Sequence, residues 1–146
     1  MLVLAGEHSF APRNHDIAEH SARAERSLLV PNPVVHFEIT GSDASALQEF
    51  YRNLFGWKID TNNEWQYGMV ETGGEGGING GIAGTYNGDA NRVTVYTAVD
   101  DPQAYLDKAE GLGATTLMPV TDIGGMVIAM FRDPGGNITG LVKDSA

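Results

Sequence analysis

The strongest constraint on this sequence is that one series of elements is written into it twice. The first series opens at Val34-Val35-His36-Phe37-Glu38-Ile39, a strand by composition and alternation. Val35, Phe37 and Ile39 share one face, and His36, Glu38 and Thr40 the other. Asp43 supplies an N-cap. Leu47, Phe50, Tyr51, Leu54 and Phe55 follow at helical spacing on one apolar stripe, and Gly56 ends the helix just past its C-cap. Three short strands are predicted beyond it, over 57–59, 65–72 and 78–83, separated by an Asn62-Asn63 turn and a glycine-rich loop at 73–77. That loop has no following Lys-Ser/Thr and does not read as a phosphate cradle; it reads as a rim.

After a polar connector over 86–92 the series restarts. Residues 93–99 alternate as a strand, Asp101 caps a helix with Pro102 at its first position, and Leu106, Ala109 and Leu112 line the face expected to be buried. Gly113 stops the helix, a strand over 115–118 is ended by Pro119, and the apolar run 126–131 leads into Asp133-Pro134-Gly135-Gly136-Asn137. Pro134 presets φ there and Gly135 suits the positive φ of a type II turn, so 126–142 reads as a hairpin. Asp43 and Asp101 are 58 positions apart, as are Leu54 and Leu112, and Gly76-Gly77-Ile78-Asn79-Gly80-Gly81-Ile82 echoes Gly135-Gly136-Asn137-Ile138-Thr139-Gly140-Leu141. Two β-α-β-β-β modules that share a core are implied, module one over about 33–85 and module two over about 92–144.

Residues 1–30 stand outside the repeat and form an N-terminal extension; Pro31-Asn32-Pro33 marks the start of the domain, 31–146. Asp16 caps a predicted helix to about Leu29. His15 and His20 are five apart, which does not put two ligands on one helical face, so no metal site is expected there.

Nineteen acidic against nine basic residues give a net charge of −10, and from Pro31 onward the count is fifteen against six. A phosphate backbone is repelled by such a surface, which argues against nucleic acid and favours cationic over anionic partners. No stretch approaches the roughly 20 apolar residues of a membrane span. The short apolar start lacks a basic leader, and there is no cysteine, so a cytoplasmic protein without disulfides or thiolate chemistry is expected.

His36-Phe37-Glu38-Ile39, the helix ending Phe50-Tyr51-Arg52-Asn53-Leu54-Phe55-Gly56-Trp57, and Phe131-Arg132-Asp133-Pro134-Gly135-Gly136-Asn137-Ile138 together resemble the vicinal oxygen chelate superfamily. That superfamily includes glyoxalase I, extradiol dioxygenases, methylmalonyl-CoA epimerase, and bleomycin and fosfomycin resistance proteins. The resemblance covers about residues 33–143. It implies an α+β fold in which two βαβββ modules form a curved, partly open, barrel-like sheet of eight strands. Helices lie on the convex side, a cleft on the concave side, and the protein is often a homodimer. Fold alone does not fix the reaction.

Metal-dependent relatives place ligands on the first and last strands of each module. The matching positions here are His36, Thr94, Gly81 and Gly140. Of these only His36 is a competent ligand, whereas a catalytic zinc typically needs three. The expectation is therefore a metal-free cleft with no cofactor, with His36 and Glu38 as the candidate catalytic pair, able to move a proton or bind a cation. Glu38 as a displaced carboxylate ligand is the route to an atypical divalent-metal site. Alternation puts Trp65, Tyr67 and Met69 on one face, Thr94, Tyr96 and Ala98 on another, and Met126, Ile128 and Met130 on a third. Of these, Trp65, Tyr67, Met69, Thr94, Tyr96, Met126 and Met130 are the candidate ligand contacts, aromatic and soft enough for an adaptable pocket. Two functions follow. One is a binding protein that sequesters a small organic compound. The other is a lyase, isomerase or dioxygenase with His36 as base. A regulatory module with a vestigial cleft is a third.

Overall fold

The computed structural model describes residues 31–85 and 88–145, together with Ala18, Glu19 and Ser21. Apart from these three exposed positions, the N-terminal helix expected from Asp16 lies outside the described residues, as do His8, His15 and His20. The chain divides into two units, Met1–Pro31 and Asn32–Ala146.

The second unit runs β1 (Val34–Gly41), α1 (Ala44–Phe55), β2 (Lys58–Asp60), β3 (Gly68–Glu71), β4 (Gly80–Gly84), β5 (Arg92–Val99), α2 (Pro102–Gly111), β6 (Thr115–Ile123), β7 (Met126–Arg132) and β8 (Ile138–Lys143). The β-α-β-β-β series is thus present twice. All eight strands form one sheet in the order β2-β3-β4-β1-β5-β8-β7-β6. The modules join within the chain, where β1 pairs antiparallel with β5 and sets His36 opposite Tyr96 and Glu38 opposite Thr94. β4 lies parallel to β1 on its other side, with Glu38 opposite Gly81, and β8 lies parallel to β5, with Tyr96 opposite Gly140.

The sheet is curved and not closed. Trp65, in the loop before β3, reaches the β6–β7 turn: a methyl group at Gly124 would lie 3.9 Å from its indole. β3 and β7 are five strand steps apart, about 24 Å in a flat sheet, so the sheet must bend to let them meet. The bend buries Thr94, Tyr96 and Met130 on the face opposite the helices.

Local chemistry sets both helices. The Ala46 N–H donates to Asp43 Oδ1 at 3.0 Å, and the Ala104 N–H to Asp101 Oδ1 at 3.1 Å. Gly56 ends α1 with φ 69°, a conformation in which its N–H reaches the Arg52 carbonyl. Beneath α2, Val99, Leu106, Ala129 and Leu141 form a buried cluster with Tyr105, Val120 and Phe131 packed on it. Burying each large member contributes about 1.5–3 kcal/mol.

Several elements differ from the sequence reading. The stripe of α1 is not buried: Phe50, Leu54 and Phe55 are each more than half exposed, and the one buried residue of the helix is Gln48. Leu112 lies beyond the end of α2 and is 72% exposed, so of the three residues expected to be buried only Leu106 and Ala109 face inward. Pro119 does not end β6. The strand is an edge strand whose pairing shifts between Met118 and Thr121, where a missing N–H breaks no ladder. At the β7–β8 turn it is Gly136, not Gly135, that takes positive φ, at 90°. Asp133 Oδ1 accepts from the N–H groups of Gly135 and Asn137 at 2.9 Å each, which winds the turn around the aspartate. Among the described residues no helix is long and apolar enough to cross a membrane.

Candidate functional site on the open face

β4 carries two adjacent glycines because both sides of it are filled. A Cβ at Gly80 would run into the Phe37 ring on the helix side, and one at Gly81 would fall inside the Tyr67 hydroxyl on the open side. In module two the same position, Gly140, lies under the Tyr96 ring, which a Cβ would overlap. The two last-strand positions without side chains are therefore where two tyrosines sit.

Tyr67 is placed by a loop, not by a strand. Asn63 Oδ1 accepts from the Trp65 and Tyr67 N–H groups at 3.2 and 2.9 Å, while its amide donates to the Tyr67 carbonyl at 2.7 Å. Gln66 takes φ 51°, a left-handed conformation that costs a residue with a Cβ about 1–2 kcal/mol. Gln48 reaches from α1 to donate to the carbonyls of Ile82, at 2.9 Å, and Gln66, at 3.4 Å. The expected strand 65–72 is shorter for this reason: side-chain bonds from Asn63 replace the ladder until Gly68.

So held, the Tyr67 hydroxyl donates to Glu38 Oε2 at 3.1 Å and lies 2.9 Å from His36 Nε2. Arg92 Nη2 pairs with Glu38 Oε1 at 3.4 Å, with both side chains mostly buried, and Arg92 Nε donates to Thr94 Oγ1 at 3.2 Å. Tyr96 stands edge-on to the His36 ring, 5.6 Å between centroids, and its hydroxyl has the Met130 sulfur at 3.8 Å, a weak acceptor. Burial lowers the pKa of His36 below the ordinary imidazole value, with the Glu38 charge opposing. Burial pushes the Tyr96 hydroxyl up to about 12, with Glu38 adding and Arg92 opposing. Burial also raises the pKa of Tyr67, reinforced by the charge and hydrogen bond of Glu38. Both phenols therefore stay protonated at physiological pH.

Beside this network is a cavity of about 260 Å³ lined by His36, Lys58, Asp60, Met69, Glu71 and Asn79, among others. His36 is the residue common to the network and the cavity. The candidate residues thus separate. His36, Glu38, Tyr67, Thr94, Tyr96 and Met130 gather on one face. Met69 lines the cavity. Trp65 is in the loop and 67% exposed, and Met126 is 56% exposed at the start of β7. Arg92, Asn63, Gln48 and Lys58 went unread. Arg92 was within reach, because extending the Thr94–Tyr96 alternation back by one step puts it on the same face.

The positions at which metal-dependent relatives of the superfamily that the sequence resembles place ligands are His36, Thr94, Gly81 and Gly140. Of the four ligand positions, only His36 offers a strong donor. The space at Gly81 and Gly140 is filled by phenols, and Glu38 is engaged by Arg92 and Tyr67. Among the described residues no three His, Cys, Asp or Glu side chains gather as a ligand set.

A curved sheet of two βαβββ modules joined at their first strands, with a polar network on its open face, defines a protein of the vicinal oxygen chelate class. The family model "Glyoxalase/Bleomycin resistance protein/Dioxygenase superfamily" matches residues 34–140, and the chain belongs to that superfamily. Proteins named "Putative glyoxylase CFP32" in Mycobacterium bovis and Mycobacterium tuberculosis are 33% identical to it over 126 residues. The match covers 82% of this chain and 47% of theirs, so the chain spans about half the length of these curated relatives. A methylmalonyl-CoA epimerase structure from Streptomyces coelicolor superposes with a TM-score of 0.57 at 20% identity, covering 80% of this chain and all of the other. A superfamily member from Vibrio splendidus does so with a TM-score of 0.57 at 14% identity, covering 78% of this chain and all of the other. At these identities the two structures speak to the fold.

Proposed function

We propose that the open face is a ligand site that binds a small organic compound without a metal ion, in the manner of the binding proteins of this superfamily. The observation that carries the reading is the pair of tyrosines in the spaces above Gly81 and Gly140. They put two phenols, held against Glu38, His36 and Met130, where metal-dependent relatives have chelating side chains. The acidity of the chain and the Trp65, Tyr67 and Tyr96 rings favour cationic or aromatic guests. A thermal-shift panel of small organic cations, bleomycin included, tests the proposal. The expected outcome is a rise in Tm for at least one compound, unchanged by EDTA and lost in Tyr96→Ala. No shift with any compound, or a shift that needs added metal, contradicts it.

One observation favours a second reading, that the protein is an enzyme. His36 is buried enough to be neutral and uses only one ring nitrogen within the described structure, as a general base requires. On this reading His36→Gln lowers turnover of the true substrate by about 10²–10⁴-fold. An unchanged rate removes His36 from the chemistry. On either reading the chain is taken as a homodimer in the cytoplasm. The exposed Phe50, Leu54 and Phe55 of α1 offer an apolar face for a second copy, and sedimentation velocity tests the assembly.

A further inference from the structure

The Tyr67 hydroxyl has one proton and two neighbours. It donates that proton to Glu38 Oε2 at 3.1 Å, and Glu38, ion-paired with Arg92, can only accept. The 2.9 Å contact to His36 Nε2 is then a hydrogen bond only if the imidazole donates. That leaves the other ring nitrogen, Nδ1, without a proton and without a described partner.

We infer that Tyr67 is a positioning residue that locks His36 as its Nε2–H tautomer. Nδ1 is then the acceptor this site offers to its ligand, whose class is a compact molecule presenting an N–H, O–H or acidic C–H donor. The inference rests on the proposed site being a ligand site only for its second half; the tautomer stands or falls by itself. Three further features support it. Gly81 lacks a side chain where the hydroxyl sits. The loop that delivers Tyr67 holds a strained Gln66 and is clamped by Asn63 and Gln48, so its geometry is specified from three sides. His36 also lines the 260 Å³ cavity, whose Lys58, Asp60 and Glu71 supply charges of both signs around the donor. When a donor passes its proton to Nδ1, the ring becomes an imidazolium. Its Nε2–H still donates to the Tyr67 oxygen, and the Tyr67 hydroxyl keeps its proton and still donates to Glu38, so a carboxylate faces the new charge through one phenol. Tyr96 stands at the ring edge and Arg92 holds the far carboxylate oxygen. No proton need leave the chain Glu38–Tyr67–His36 for this to happen.

Long-range ¹H–¹⁵N correlation of the histidine side chains in the full chain at neutral pH reads the tautomer without any ligand. The His36 signals are assigned as those absent from His36→Gln. The expected pattern is an unprotonated Nδ1 and a protonated Nε2. Tyr67→Phe, and separately Gly81→Ala, which evicts the hydroxyl, shift His36 to a mixture of tautomers while the backbone amide spectrum of β5 to β8 stays folded. A proton on Nδ1 in the wild type, or an Nε2–H pattern unaltered in a folded Tyr67→Phe, overturns the inference. A preserved tautomer with no ligand in the thermal-shift panel leaves it intact and counts against the binding proposal alone.

Discussion

The two modules have one topology and use their helices differently. Under α2, Leu106 packs at 2% exposure on Val99, Ala129 and Leu141. α1 itself has a single buried side chain, the amide of Gln48, whose bonds go to Ile82 and to the Gln66 loop, while the apolar burial of module one lies in its strands, at Val70 and Ile82. The apolar residues of α1 stack on one another and on Trp57 instead, as with Tyr51 and Trp57 at 5.4 Å and 9°. α2 is therefore the helix that anchors through an apolar contact. Module one spends its helix contact on placing a loop, and that loop delivers Tyr67 to His36. The two helices have been divided between core and site.

The largest break in that comparison comes from its anchor. Leu106→Ala is expected to cost about 3 kcal/mol in denaturant unfolding, whereas Leu54→Ala on α1, at a residue 56% exposed, costs under about 0.5 kcal/mol in the monomer. Comparable losses would mean that α1 is covered after all. Gly140→Ala follows, at about 1–3 kcal/mol, since the new methyl meets the buried Tyr96 ring close to its root. Gly81→Ala meets only the outer end of Tyr67, so its stability effect is smaller and its effect on ligand binding larger. Gln48→Leu should cost about 1–2 kcal/mol by stranding the Ile82 carbonyl. It should also speed amide exchange through 63–67 without touching module two.

The smallest effect is in pH. Burial lowers the His36 pKa, so between that value and the ordinary 6.5 the unfolded chain binds a proton the folded chain refuses. Stability is then unaffected above about pH 6.5 and falls as the pH drops below it. In His36→Gln the decline of Tm from about pH 7 to about pH 5.5 should be shallower than in wild type. An identical slope would show that His36 is not buried as a neutral ring.

The repeat made the architecture legible. Caps at Asp43 and Asp101, the Pro102 start and the Gly56 stop are local chemistry, and local chemistry reads directly. The exposure of Phe50 and Leu54 was not legible, because a helical stripe states a period but not what lies across from it. Nor was the Tyr67 position. A stretch that alternates like a strand is instead held by Asn63 side-chain bonds, and nothing in the alternation of Trp65, Tyr67 and Met69 reveals that competition. The glycines at 81 and 140 were legible as missing ligands. What fills their place depends on contacts between strands that only the folded sheet brings together.

Elemental analysis of the full chain, purified without chelators and alongside His36→Ala, decides whether the open face works without a metal ion. Only trace zinc, nickel, iron or manganese is expected in both proteins. Close to one ion per chain in the wild type, lost in His36→Ala, would contradict that expectation.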